Sequence, residues 1–455
     1  MTVDALPSLV SFADWIRETD AHAAHRLVLM EQVERVLRKP EEVADADRRV
    51  LAEKLERWRY QHLNEHAGEF SSQHEALADA LDLTANQLAG RPDRPPRATR
   101  RAIDDPSLDA DTIEEAVAAL GAGFPLDRLV DRATELTIEK FGGCRTTDVT
   151  GRMRQRVLLY APVYVSSECV NHCRYCGFRH PQHITRKHLS VDEAVAQARI
   201  LQQRGFRHLL VVGGDFPSKT TAAYYADILQ ALVREGVEPG IEIAPQSTQS
   251  YAELVDAGVC GLTLYQETYN EELYSHYHVR GPKSSYRWRL ESHDRAAEAG
   301  VSRLGLGVLL GLADVQEDVI AMMRHAVYLM DRFPDRTLAF SLPRIHEAPD
   351  EFDIPHPVSD DQLIRLYCAL RIGFPEAELV LSTREPAALR NRLAKICITQ
   401  MSAGSSTAPG GYQPGGEDIG EQFPVVDHRS AAEVARWLEE EGFPVCWSIE
   451  ETKSL

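Results

Sequence analysis

Apolar and polar positions change their period once along the chain, near residue 157. Before that point the spacing is helical. Apolar residues recur at intervals of three and four among charges, from Leu27-Val28-Leu29-Met30 to Val36-Leu37 and from Val50-Leu51-Ala52 to Trp58, which predicts amphipathic helices over residues 1–90. Such helices most often only pack, so this extension is expected to lie against the main domain or a second subunit. The run Arg91-Pro92-Asp93-Arg94-Pro95-Pro96-Arg97-Ala98-Thr99-Arg100-Arg101 then breaks the pattern. Its prolines and arginines predict a stiff, solvated linker over 91–110 and a domain boundary, with an acidic electron donor as a less favoured partner for the charge. Helical spacing returns from Asp111 to Phe141 and opens the domain 111–455.

From Val157 onward short apolar runs alternate with helical segments. The strands are expected at 157–165, 208–215, 241–246, 262–269, 304–311, 337–344, 379–385 and 397–405, each a run suited to a strand buried on both faces. Eight strands with intervening helices predict an α/β fold, a closed (β/α)8 TIM barrel carrying an N-terminal helical extension. In such a barrel the chemistry sits in the loops after the strands' C-terminal ends. Here those ends carry Gly213-Gly214-Asp215, Pro245-Gln246, Gln266-Glu267-Thr268-Tyr269, Ser341-Leu342-Pro343-Arg344, Ser382-Thr383-Arg384-Glu385 and Ser402-Ala403-Gly404-Ser405. Strand ends are polar merely because they meet solvent, but these would all converge on one mouth.

Composition narrows the classes. The 455 residues leave room for one large domain and an appendage, and no apolar run approaches the length of a membrane span. Met1-Thr2-Val3-Asp4 lacks the basic and apolar regions of a signal peptide. A net charge of −19 argues against a nucleic-acid-binding surface. The 8 cysteines are too sparse for a disulfide scaffold, and a cytoplasmic, reducing location is expected.

Chemistry enters after the first strand, in Cys169-Val170-Asn171-His172-Cys173-Arg174-Tyr175-Cys176-Gly177-Phe178. Three thiolates at Cys-x3-Cys-x2-Cys spacing can hold three corners of a 4Fe-4S cluster and leave the fourth iron open. A Cys3His zinc site using His172 and three unrelated buried cysteines are the competing readings. The zinc reading is disfavoured because His172 adjoins Cys173 and no second cysteine pair follows.

The cysteine loop with Tyr175 before its last cysteine resembles the radical S-adenosylmethionine (radical SAM) enzymes. The longer string is similar to their aromatic amino acid lyase branch, which holds the 2-iminoacetate synthases of thiamine biosynthesis and the tyrosine lyases of FeFe-hydrogenase maturation. Tyr265-Gln266-Glu267-Thr268-Tyr269, Gly281-Pro282-Lys283-Ser284, Leu381-Ser382-Thr383-Arg384-Glu385 and Met401 through Tyr412 resemble further blocks of these lyases. The resemblance covers roughly residues 157–447 and leaves out 1–110.

The resemblance implies one 4Fe-4S cluster on Cys169, Cys173 and Cys176, with S-adenosylmethionine chelating the open iron. It implies a cofactor site at Tyr175, Gly213, Gly214, Asp215 and Glu267. Asp215 stands where the branch usually has Glu and would accept the methionyl amine, while the two glycines allow close approach of a ligand. A phosphate loop is a weaker reading of the same residues, since no Lys-Ser/Thr follows.

For the substrate the resemblance implies Arg344, Tyr164, Ser382 and Arg384. Arg344 would grip the carboxylate and Tyr164 contact the amine, although Arg344 can equally be a paired interior arginine and Tyr164 a core aromatic. The implied reaction cleaves the Cα–Cβ bond of L-tyrosine to 2-iminoacetate and p-cresol. The implied partners are flavodoxin or ferredoxin as electron donor and thiazole synthase. Action on tryptophan or another aromatic amino acid, or a maturase-like activity, are the alternatives. A second cluster like the maturase's is not expected, because Cys446 is the one cysteine in the tail.

Overall fold

A computed structural model describes residues 8–66, 72–109, 112–121, 123–142, 151, 153–349, 352–413 and 419–454. The expectations placed on Met1 to Asp4 and on Asp111 fall outside these residues.

Eight parallel strands close into a ring. They are β1 Val157–Ser166, β2 His208–Gly213, β3 Glu238–Glu242, β4 Gly261–Glu267, β5 Arg303–Val308, β6 Thr337–Ser341, β7 Glu378–Leu381 and β8 Gln400–Ser402. Each pairs with the next, and β1 closes the ring by pairing with both β2 and β8. Side chains alternate along a strand, and β1 shows the consequence. Leu159, Ala161, Val163 and Val165 join the core under the helices, whereas Tyr160 and Tyr164 join an interior cluster with Leu210, Val212, Ala339 and Val380. A two-residue strand, β9 Val445–Cys446, pairs with the first residues of β1, Val157 and Leu158, before β2 begins to pair at Ala161. Cys446 is thus buried at the end of β1 remote from the cysteine loop.

Most strands are shorter than their apolar runs, because the polar residues after them turn outward to build the mouth. The third departs most: it runs over Glu238–Glu242 instead of 241–246. Pro239 and Gly240, which precede the expected strand, pair in register with Leu209 and Leu210 of β2. A Cβ on Gly240 would meet Leu210 Cδ1 at 3.4 Å, an ordinary contact.

The extension is a helical bundle with its own core. Helices α1 Ala13–Thr19, α2 Ala23–Arg38, α3 Asp45–Glu65 and α4 Ser72–Leu88 enclose Phe12, Ile16, Met30, Val33, Leu55, Trp58, Leu77 and Leu81. Its contact with the barrel combines the packing of Tyr60 against Trp288 with buried ion pairs. Arg59 pairs with Glu291, whose carboxylate also accepts the Tyr60 hydroxyl at 2.7 Å. Arg97 Nη2 meets Glu298 at 2.7 Å and Glu56 at 2.9 Å, and its amide donates to Asp82 at 2.6 Å. Burial opposes ionisation of Glu291, but Arg59 and Arg287 overcome it and hold the carboxyl well below its usual range.

Arg97 belongs to the segment expected to be a solvated linker, yet only 4% of it is exposed. Three carboxylates drawn from both sides of the interface supply the reason. Among the described residues no helix is long and apolar enough to cross a membrane.

Stripping one partner from a buried pair leaves the other charge uncompensated. Arg97→Ala is therefore expected to destabilise the protein by about 3–5 kcal/mol in urea unfolding. A loss under about 1 kcal/mol would mean that the carboxylates find water instead.

Candidate active site

The loop after β1 has almost no secondary structure of its own and is held by bonds to three neighbouring segments. Val170 N donates to Asp215 O at 2.9 Å, His172 N to Arg280 O at 3.0 Å, Arg174 N to Tyr277 O at 3.1 Å and Gly177 N to Gln422 O at 3.0 Å. Asn171 links two of these segments by side chain: its Nδ2 donates to Asp215 Oδ2 at 2.8 Å and its Oδ1 accepts from Lys283 N at 2.9 Å. The approach is close enough to demand glycine. A Cβ on Gly177 would sit 2.4 Å from Glu421 O, and one on Gly281, whose φ is 99°, would sit 2.4 Å from Asn171 Oδ1.

The clamp brings the three thiols near enough to act on one another electrostatically. Cys173 is buried and Cys169 and Cys176 are half-buried. Burial pushes all three thiols up, while Lys283 pulls them down; Cys173 and Cys176 are raised further by their cysteine neighbours. Soft donors that resist becoming thiolates without a compensating cation suit an iron–sulfur cluster, which binds them as thiolates. His172 lies instead beside His180, with ring centroids 5.2 Å apart.

A second layer of charge flanks the thiols. Glu267 ends β4 in the left-handed region, φ 72°, just past a register shift. That conformation costs a non-glycine residue of order 1–3 kcal/mol and persists only where its surroundings enforce it. Here Lys283 Nζ at 2.6 Å and Arg289 Nη2 at 3.1 Å hold the carboxylate. Burial would raise its pKa, but Lys283 and Arg289 bring it down to about 2.

Beside it, His278 shares Nδ1–H with the Tyr274 carbonyl at 2.7 Å. Its Nε2 therefore accepts from the Tyr175 hydroxyl, also at 2.7 Å. Burial and Lys283 lower His278 to about 3, which keeps it neutral.

The expected cofactor glycines are each approached closely by the protein itself. A Cβ on Gly214 would lie 2.4 Å from Glu168 O and 3.2 Å from Cys169 Cβ, and one on Gly213 would lie 2.3 Å from the Tyr225 hydroxyl. At Gly214 the neighbour is the protein's own cysteine loop, and at Gly213 it is the Tyr225 side chain. Asp215 beside them keeps Oδ1 outside the Asn171 bond, and burial raises its pKa.

On the substrate side, the Tyr164 hydroxyl donates to Gln422 Oε1 at 2.6 Å and its ring meets Phe178 edge-on. Ser382 Oγ accepts weakly from Arg384 N at 3.4 Å. The Arg384 guanidinium lies 3.3 Å from the centre of the Phe423 ring, and none of the described carboxylates is within ion-pair distance of it. Its charge reaches Tyr164, Tyr265 and Glu242.

Arg344 is paired within the barrel mouth. Its Nε meets Glu385 Oε1 at 2.9 Å, Nη2 pairs with the other Glu385 oxygen and with Asp360 at 2.9 Å, and Nη1 donates to Val358 O at 2.8 Å. In this structure the fork is occupied by the buried Glu385 carboxylate.

Glu242, Lys283, Arg289, Asn171 and Gln422 were not identified from sequence. Glu242 was detectable as a lone carboxylate in the apolar run Gly240-Ile241-Glu242-Ile243-Ala244. Lys283 lies in a block whose resemblance carried no role. Nothing local marks Gln422.

A closed parallel barrel with three clustered cysteines after its first strand defines a radical SAM enzyme. The family model "Radical SAM superfamily" matches residues 163–326, and "Biotin and Thiamin Synthesis associated domain" matches 341–444. The chain is 33% identical to 2-iminoacetate synthase of Escherichia coli over 348 residues, which covers 76% of this chain and 89% of the relative. It superposes on a crystal structure of HydG, a maturase of the FeFe-hydrogenase, with a TM-score of 0.69 at 30% identity, covering 87% of this chain and 81% of that one. The HydG of Carboxydothermus hydrogenoformans gives 0.68 at 28% identity, covering 90% and 87%. The chain belongs to the 2-iminoacetate synthase family of radical SAM lyases. Membership implies a 4Fe-4S cluster and S-adenosylmethionine.

Glu242 makes the site's electrostatics testable. Burial raises its pKa from an ordinary 4.5 to about 7, against the pull of Arg384. The unfolded chain thus ionises first, so this contribution to stability is complete below the ordinary pKa and lost as pH rises through the folded one. Glu242→Gln is expected to stabilise the protein by about 1–3 kcal/mol at pH 8 and to leave it nearly unchanged at pH 4.5. Urea unfolding at the two pH values measures the difference, and an equal effect at both would remove Glu242 as the titrating group.

Proposed function

We propose that this enzyme cleaves the Cα–Cβ bond of L-tyrosine, giving 2-iminoacetate and p-cresol while S-adenosylmethionine goes to 5′-deoxyadenosine and methionine. The observation that carries the reading is the guanidinium of Arg384, outside any ion pair among the described residues, in a barrel mouth shared with the three thiols, on a chain similar over 76% of its length to a 2-iminoacetate synthase.

Cys169, Cys173 and Cys176 hold one cluster. Bound there with S-adenosylmethionine, it supplies the 5′-deoxyadenosyl radical. Asp215 receives the methionyl amine on Oδ1, the oxygen that Asn171 leaves open. Tyr175 and Glu267, fixed by His278, Lys283 and Arg289, form the opposite wall of the cofactor site.

Arg384 takes the tyrosine carboxylate, for which a free planar fork is suited. Ser382 orders its backbone, and Tyr164, fixed by Gln422, contacts the substrate amine. Arg344 acts by holding the Glu385 loop. The reading extends to the cytoplasm as location, to flavodoxin or ferredoxin as electron donor, and to thiazole synthase in thiamine biosynthesis as recipient of the product.

A maturase-like activity is the second reading, favoured by the likeness to HydG. Against it stands Cys446, buried in β9 at the far end of β1, where it serves packing.

Anaerobically reconstituted protein is expected to carry about four irons, the content of one cubane. With reductant and S-adenosylmethionine it should release p-cresol from tyrosine and from no other aromatic amino acid. Ala at Cys169, Cys173 or Cys176 should abolish both the iron and the turnover. Formation of an indole product from tryptophan, or of cyanide from tyrosine, would overturn the assignment in favour of one alternative or the other.

The two arginines should separate in kinetics. Arg384→Ala is expected to weaken tyrosine binding by about 2–5 kcal/mol with the cluster intact, whereas Arg344→Ala should chiefly lower thermal stability. The opposite pattern would return the carboxylate to Arg344.

A further inference from the structure

The hairpin of α3 and α4, outside the barrel, gathers three imidazoles. His62 lies in the last turn of α3 and His66 caps its end, a spacing of four that puts both on one face. His74, in the first turn of α4, faces them. One ring nitrogen or the other from each of the three falls within 4.8 Å of the rest. His62 Nε2 and His74 Nδ1 are 3.2 Å apart, close to the edge of a tetrahedron with zinc–nitrogen bonds of about 2.0–2.1 Å, which measures about 3.3–3.4 Å. Ring centroids are separated by 5.0 Å for His62 and His66, and by 4.1 Å for His66 and His74.

We propose that His62, His66 and His74 form a tris-imidazole site for a first-row divalent metal ion of the zinc class, separate from the three cysteines. Imidazole nitrogen without sulfur favours such an ion over the iron–sulfur chemistry of the barrel mouth.

Trp15 of α1 lies edge-on to His62 at 6.0 Å and to His74 at 5.1 Å, closing the apolar side. His66 and His74 are half-buried. Arg26 is the nearby cation that opposes a second positive charge; Asp20 and Glu65 pair with it and balance that charge. The ion would tie the end of α3 to the start of α4 beneath α1.

The test uses the full-length protein with its cluster reconstituted, incubated with Zn²⁺ and desalted. Wild type is expected to keep one zinc per chain, with an X-ray absorption edge showing imidazole nitrogen at about 2.0–2.1 Å and no sulfur. His66→Ala and His74→Ala should lose that zinc and the rise in melting temperature it brings, with iron content and 5′-deoxyadenosine formation unchanged. A sulfur shell, failure of wild type to retain zinc, or equal retention by both variants would overturn the site. Should a variant misfold by circular dichroism, the wild-type zinc content and absorption spectrum decide alone.

Discussion

Convergence of three thiols on one point is the constraint from which the rest of the mouth follows. The loop bearing them has no ladder of hydrogen bonds to fix it, so its shape comes from Asp215, the 277–283 segment and Gln422, which donate no rigidity unless they approach closely. Close approach explains why glycine stands at 177, 214 and 281. A single Cβ at any of these would push one wall away from the loop and move a sulfur with it. The barrel supplies what a free loop cannot, a ring of strand ends whose relative positions are set by packing below them.

Charge in the mouth is arranged to leave a specific vacancy for anions and cations. Glu267 is satisfied by Lys283 and Arg289, and Arg344 by Glu385 and Asp360. Arg384 and one oxygen of Asp215 remain outside such pairs among the described residues. A paired ion is already stabilised and has little differential affinity to offer a ligand, whereas an unpaired one gains what it has lost to burial. An amino acid and an amino-acid-like cofactor each bring a carboxylate and an amine, so the two unfilled groups complement the ligands of the proposed reaction.

The fold was legible in the sequence because buried parallel strands are continuous apolar runs and their number could be counted. The cysteines were legible because their spacing is local. Arg344 and Arg384 could not be told apart that way: both follow strands and both sit in blocks resembling the lyases. Only the position of Glu385, 41 residues from Arg344, decides which fork is occupied. Arg97 misled for a related reason, since a proline-rich basic run reads as solvated unless the carboxylates it meets, on Glu56 and Glu298, are known to be near. Long-range pairing, unlike periodicity, leaves no trace in the neighbouring residues.

The same segment that steadies the site also receives the N-terminal bundle. Within the helices Tyr286–Leu290 and Ser292–Ala299, and at Glu291 between them, Arg289 reaches inward to Glu267 and to the Tyr265 carbonyl. Two residues on, Glu291 reaches outward to Arg59 and Tyr60, as do Arg295 to Tyr60 and Glu298 to Arg97. One short stretch thus has inward and outward faces that are both ionic and both buried. Its position is over-determined by the bundle, and a residue held in left-handed geometry, as Glu267 is, needs a fixed partner rather than a mobile one. The extension carries none of the mouth's residues, yet its charges brace the helix from which one of the mouth's cations projects.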